Sequence, residues 1–175
     1  MRPHQIIAKR PVKALLGAVA VLSLLAAGIG PHQAQATTAS ATIAVSATVL
    51  SLCTVSASAL AFGNYSSNAV LDGSTSVGVT CTNGTTYTVA LDNGTTSGAT
   101  TATRLMAGSG SNTLGYSLYK DTSRATVWGN TVGTNTTAGT GNGSLQTLNV
   151  YGRIPASQYV APGAYTDTVT VTLTY

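Results

Sequence analysis

The sequence predicts an all-β, exported domain built as a sandwich of short strands. Apolar residues recur at every second position in several stretches separated by polar turns, the mark of strands with one buried face. Past residue 36 no stretch has the spacing of an amphipathic helix, while Thr, Ser, Gly and Ala dominate the composition. Two cysteines follow an export signal, as expected of a domain stapled in an oxidising compartment.

The export signal comes first. Arg2, Lys9, Arg10 and Lys13 precede an apolar run, Ala14–Gly30, and Ala34-Gln35-Ala36 forms a small-residue cleavage box. Residues 1–36 are therefore read as a cleaved leader, since the run is at the short limit for a membrane span. Four of the eight basic residues go with it. Arg104, Lys120, Arg124 and Arg153 then balance Asp72, Asp92, Asp121 and Asp167, so the basic isoelectric point belongs to the precursor and argues for no nucleic-acid or anionic-membrane partner.

Residues 37–175 are the size of one ordinary domain. Thr37–Val49 alternates, with Ala39, Ala41, Ile43, Val45, Ala47 and Val49 on one face, and reads as a strand. The pattern then changes phase through Leu50 and Leu52 and returns at Cys53, Val55 and Ala57. One strand from Thr37 to Ala57 would reach about 70 Å, whereas a domain of this size is on the order of 37 Å across. The run must bend, or its front must leave the domain.

Ala61–Tyr65 enters a polar turn. Ser74–Thr82 alternates through Val77, Val79 and Cys81, and Asn83-Gly84 is expected to turn a hairpin into Tyr87, Val89 and Leu91. Asp92–Thr103 reads as a flexible loop, and Arg104-Leu105-Met106 as a short apolar piece. Leu114, Tyr116 and Leu118 mark another strand, Ala125–Trp128 a brief one, and Gly129–Gly143 a second loop. Leu145–Ile154 is a strand ended by Pro155, which cannot donate to a ladder. After the Pro162-Gly163 turn, Tyr165, Asp167, Val169, Val171, Leu173 and Tyr175 share one face of a last strand whose other face is threonine, and nothing in the sequence follows to cover its edge.

Chemistry is sparse. After the leader there is no His, and the chain has no Glu, so His-based triads, an imidazole base and His or Glu metal ligands are excluded. The four Asp are scattered and form no calcium loop; no catalytic residue, metal or cofactor is expected. Cys53 and Cys81 are expected to form a disulfide, because zinc would need further Cys or His ligands. Trp128 and the eight Tyr could stack on sugars, though Tyr more often fills sandwich cores and rims. Arg124 and Arg153 read as solvated surface charges rather than an anion site. Asn64, Asn83, Asn93, Asn135 and Asn142 sit in glycosylation-like triplets that read as turn residues. The first alternating stretch fits two roles equally by pattern: completing its own sandwich, or filling the open groove of a neighbour.

Cys53-Thr54-Val55, Phe62-Gly63-Asn64-Tyr65, Cys81–Tyr87, Leu118-Tyr119-Lys120-Asp121, Val127-Trp128-Gly129, Val150–Pro155 and Tyr165-Thr166-Asp167-Thr168-Val169 together resemble the spore coat U domain family, which includes major pilins of archaic, Csu-type chaperone–usher pili. The resemblance covers essentially all of residues 37–175. It implies an incomplete immunoglobulin-like sandwich lacking its last strand, a disulfide matching Cys53 and Cys81, and completion by a donated N-terminal strand. A periplasmic chaperone, an outer-membrane usher and identical or related subunits are the implied partners, with no small-molecule substrate. The expected organisation is leader 1–36, donor strand 37–49 and sandwich 50–175, with Tyr165, Val169, Val171, Leu173 and Tyr175 bordering the acceptor groove. The expected function is a structural pilin exported through the periplasm to the cell surface, supporting adhesion and biofilm formation. A self-contained surface or spore-coat protein and a sugar-binding tip adhesin are the alternatives.

Overall fold

A computed structural model describes residues 35–175, so the leader lies almost wholly outside the described residues. Residues 35–45 precede the compact unit Ser46–Tyr175. That unit holds eight strands: β1 (Cys53–Ala57), β2 (Leu71–Cys81), β3 (Thr86–Leu91), β4 (Arg104–Ala107), β5 (Thr113–Tyr119), β6 (Thr137–Thr140), β7 (Gln146–Ile154) and β8 (Val171–Thr174). No helix occurs among the described residues. Every pairing is antiparallel, in one sheet ordered β1-β2-β7-β5-β4 and another ordered β6-β3-β8. The chain is thus an immunoglobulin-like sandwich, all-β as expected.

The core follows from the alternation. Val77, Val79 and Cys81 of β2, Tyr87, Val89 and Leu91 of β3, Leu114, Tyr116 and Leu118 of β5, and Val150 and Ile154 of β7 are buried between the sheets. Trp128 joins them: it is 1% exposed, and its indole N–H donates to Val89 O at 3.0 Å. A ring so enclosed cannot stack on a sugar, and its neighbourhood forms a single bridge, Val127 to Tyr119, rather than a strand.

Other expectations are corrected. Asn83-Gly84 does turn the chain, with Gly84 at φ +82° as an L side chain would resist, but no hairpin forms. Both edges of β2 are occupied, by β1 and β7, so β3 has to cross to the other sheet. The Gly129–Gly143 loop contains β6, which adds to the side of β3 that β8 leaves free. The last strand is shorter than its pattern: ladder pairing starts at Val171, because upstream Thr166 bridges Ala107 of the other sheet instead. Thr37–Val49 is not a strand in this structure. It is exposed and has no ladder partner among the described residues, and alternation alone cannot make a strand without one.

Two details place the walls of the seam described next. Cys53 and Cys81 are joined in a disulfide across the first β1–β2 pair. Gly73 and Gly152 face each other across β2 and β7, and a Cβ on Gly152 would lie 2.6 Å from Phe62 Cζ and 2.7 Å from Leu60 Cδ2. The glycine pair is therefore a slot into which the segment after β1 lays Leu60 and Phe62. Arg124 and Arg153 are not merely solvated: Arg153 forks onto Asp72 at 2.7 and 2.9 Å across this same ladder, and Arg124 reaches Asp72 at 3.2 Å.

The disulfide closes a loop of 28 residues. Reduction is expected to lower the unfolding free energy by about 3.5 kcal/mol, read as a shift in urea titrations with and without reductant. A change below about 1 kcal/mol would mean that the β1–β2 ladder alone holds this edge.

Candidate functional site: an open seam between beta1 and beta8

The site follows from ladder parity. In an antiparallel pair, each residue turns both main-chain polar groups to the same side. Thr82 N donates to Leu52 O, and Ser58 N to Ser76 O, so even-numbered residues of β1 face β2. Cys53, Val55 and Ala57 then turn their N–H and C=O to the free edge. On β8, Asp92 N donates to Thr170 O and Thr170 N to Asp92 Oδ1, so even-numbered residues face β3. The amides and carbonyls of Val169, Val171 and Leu173 turn the other way, and β8 has no ladder partner on that side among the described residues.

β1 lies alongside β8, and the two free edges border one seam. A cleft of about 390 Å³ opens between the segments 57–62 and 165–171, floored by Val77, Leu91, Tyr116, Leu118 and Val150. A second cleft of about 900 Å³ continues it, sharing Leu60, Phe62, Met106 and Tyr165. The side chains bordering this space are apolar yet incompletely covered. Val55 stands opposite the fully buried Val79, on the inner face, and is 40% exposed. Tyr165, Val169, Val171 and Leu173 pack against the core but stay half-buried.

One wall is held by the disulfide, by Thr75 Oγ1 donating to Ser58 O at 2.9 Å, and by Phe62 meeting Tyr116 edge-on with centroids 6.1 Å apart. The other wall hangs on a polar network. Tyr116 donates its hydroxyl to Asp167 Oδ2 at 2.7 Å, and Thr95 donates N–H and Oγ1–H to Asp167 Oδ1 at 2.8 and 3.0 Å. Arg104, opposite Tyr116 in the β4–β5 ladder, is 0% exposed. Its guanidinium donates to the carbonyls of Asp92, Thr101, Leu91 and Trp128 at 2.8–3.2 Å. The Asp92–Thr103 loop is irregular as expected, but these bonds pin it.

The charges respond accordingly. Burial lowers the Arg104 pKa, opposed by the neighbouring Tyr116, Asp92 and Asp167, and burial with the Asp167 bond pushes the Tyr116 hydroxyl far up. Burial alone would raise Asp92, but bonds from Thr170 and Gly94 and the Arg104 charge hold it below its ordinary value. The bond from Arg153 holds Asp72 low in the same way. No group of three metal-ligating side chains occurs among the described residues.

Of the residues singled out in the sequence, Tyr165, Val169 and Val171 line the cleft, Leu173 follows along the free edge, and Tyr175 lies beyond the end of β8, 56% exposed. Cys53 and Cys81 anchor the opposite wall. Ala39, Ala41, Ile43, Val45, Ala47 and Val49 are all exposed, Ile43 at 87% and Val45 at 89%. Sequence reasoning missed Leu60, Phe62 and Arg104. A cation in phase with Tyr116 at the head of an apolar strand was the available signal for Arg104.

A family model described as the Spore Coat Protein U domain matches residues 39–172. The chain belongs to the Spore Coat Protein U domain family. Protein U of Myxococcus xanthus is 38% identical over 82 residues, which are 45% of this chain and 45% of that protein, so the match spans less than half of the relative. Among solved structures, the chain is similar to one from the CsuC–CsuE chaperone–tip adhesion subunit pre-assembly complex of the archaic chaperone–usher Csu pili of Acinetobacter baumannii. That similarity has a TM-score of 0.57 at 25% identity and covers 73% of this chain and 41% of the other. The spore coat U domain chain thus resembles, in family and in structure, a subunit of archaic chaperone–usher pili.

Two outcomes test the network. Arg104→Met leaves four inward-facing carbonyls without their donor and is expected to cost at least about 3 kcal/mol, with Arg104→Lys failing to restore it. Asp72 and Asp92, both depressed in the folded state, contribute stability present above the ordinary value of 3.8 and lost as pH falls through their lower folded values. Urea midpoints should therefore fall on acidification below pH 3.8, less steeply in Asp92→Asn. An unchanged slope would remove Asp92 from the account.

Proposed function

We propose that this spore coat U domain chain is a structural pilin subunit that polymerises by donor-strand complementation, with residues 37–49 of one subunit filling the β1–β8 seam of the next. One observation carries the reading. The sandwich has two facing strand edges with unpaired main-chain groups above an apolar cleft, and the same chain carries an exposed stretch of matching period. A strand laid in the seam would pair with Val169, Val171 and Leu173 and turn Ala39, Ala41, Ile43, Val45, Ala47 and Val49 toward the floor. Ile43, Val45 and Val49 would each contribute roughly 1.5–3 kcal/mol on full burial. Because the giving and accepting surfaces differ, the contact is head-to-tail and propagates into a filament.

A subunit with such a seam is an aggregation hazard until it is filled. A periplasmic chaperone that occupies it, and an outer-membrane usher that exchanges chaperone for subunit, fit that need; the CsuC–CsuE likeness supports the chaperone. Export follows the leader at residues 1–36, the product is a surface filament supporting adhesion and biofilm formation, and the role is structural rather than catalytic. The buried Trp128 disfavours a sugar-binding tip that depends on this ring.

Electrophoresis without boiling tests the reading. Surface material from cells expressing the chain should run as a ladder that collapses on heating, and deletion of residues 37–49 should abolish it. Val45→Asp, a single charge in the donated face, should shorten the ladder. A chain that stays monomeric with or without residues 37–49 would refute polymerisation and favour a self-contained surface protein.

A further inference from the structure

The three-stranded sheet has a second outer edge, on β6, and it is treated differently from the edge on β8. Gly141 N donates to Thr85 O, and Gly84 N to Gly141 O, so odd-numbered residues of this segment face β3. Thr136, Ala138 and Thr140 therefore turn their main-chain groups outward. Two of these three outward carbonyls are taken by side chains from elsewhere in the fold: Lys120 Nζ donates to Thr136 O at 3.1 Å, and Gln146 Nε2 donates to Thr140 O at 3.1 Å. Lys120 reaches over from just past the end of β5 and Gln146 from the start of β7, and Lys120 lines, with Thr136, Thr137 and Ala138, a cleft of about 420 Å³.

An added strand needs a run of free donors and acceptors at alternate residues. On β8 that run is Val169, Val171 and Leu173, and among the described residues no side chain bonds to their main-chain groups. On β6 the amides of Thr136, Ala138 and Thr140 stay free, but among the described residues Ala138 alone keeps a free outward carbonyl, between two capped ones. Lys120 also brings a charge to that edge, a recognised means of discouraging edge pairing. We infer that Lys120 and Gln146 guard the β6 edge against strand addition, so that association is confined to the β1–β8 seam and filaments do not join side by side. The inference rests on the pilin reading only for its biological consequence; the guarding itself concerns the sandwich alone.

The test compares the full-length chain with Lys120→Ala/Gln146→Ala, each checked for native β content by circular dichroism. Low-speed sedimentation and bundle width by electron microscopy report lateral association, while the heat-labile ladder reports head-to-tail assembly. The double variant should pellet at least about threefold more and bundle, with the ladder unchanged. Adding Ala138→Pro, which removes the central outward amide of the edge and sets a ring where an added strand would lie, should return sedimentation to the level of the unsubstituted chain. A folded double variant that pellets no more than the unsubstituted chain overturns the inference, as does bundling that persists in the proline variant. Absence of the ladder from the unsubstituted chain would instead count against the pilin reading, and leaves the sedimentation comparison valid for monomers.

Discussion

Main-chain amides and carbonyls must be hydrogen-bonded wherever water is excluded, and this sandwich leaves two rows of them facing one another across an apolar cleft. Most other features of the fold keep that seam open and in shape. A sandwich missing a strand would ordinarily close over the gap, because exposed Val and Leu gain free energy by contact. Here the walls are held apart by bonds with direction: a disulfide and a glycine slot on one side, and a carboxylate and a buried guanidinium on the other. Burying a cation is costly unless its donors are satisfied, and Arg104 meets that condition with four carbonyls from three separate segments. Together with the Asp167 bonds, those of Arg104 tie the ends of the Asp92–Thr103 loop to the segment that leads into β8, which favours a preorganised groove.

Preorganisation matters for a contact made of main-chain ladder bonds. Each bond contributes little net free energy, about 0.5–1.5 kcal/mol, because water is displaced from both partners. A cleft whose edges are already in register avoids the ordering cost on the accepting side, leaving only that of the incoming segment. The small side chains at Ala39, Ala41 and Ala47 suit this economy, since they lose almost no rotamer freedom on burial. Affinity would then come from Ile43, Val45 and Val49, and the alanines would permit close approach.

Much of the sandwich was legible because period-two alternation is a direct record of burial on one face. β2, β3, β5 and β7 all followed it, as did the face shared by Tyr165, Val169, Val171 and Leu173. Pairing was less legible. Asn83-Gly84 gives a turn in either a hairpin or a sheet-crossing corner, and the choice depends on whether the neighbouring edge of β2 is already taken, a fact no local window contains. β6 escaped notice because Thr137–Thr140 has no large apolar residue and is a strand by virtue of its partner alone. Arg104 was hidden by its own charge, which argues for the surface until the four carbonyls are known. Thr37–Val49 shows the converse: its alternation is the clearest near the front of the chain, yet it is unpaired here.

That converse also explains why the edges differ. Alternation without a partner and a cleft without a strand are each destabilising alone, and they are complementary in period. A chain that keeps one such edge open gains directed association only if its other edges are closed; otherwise the same physics yields sheets of filaments. β4 meets Thr166 through the Ala107 bridge, β6 is capped by two side chains, and β1 and β8 are left bare on the same seam. In the proposed filament, the distribution of unpaired main-chain groups, more than any individual side chain, is what would keep association one-dimensional.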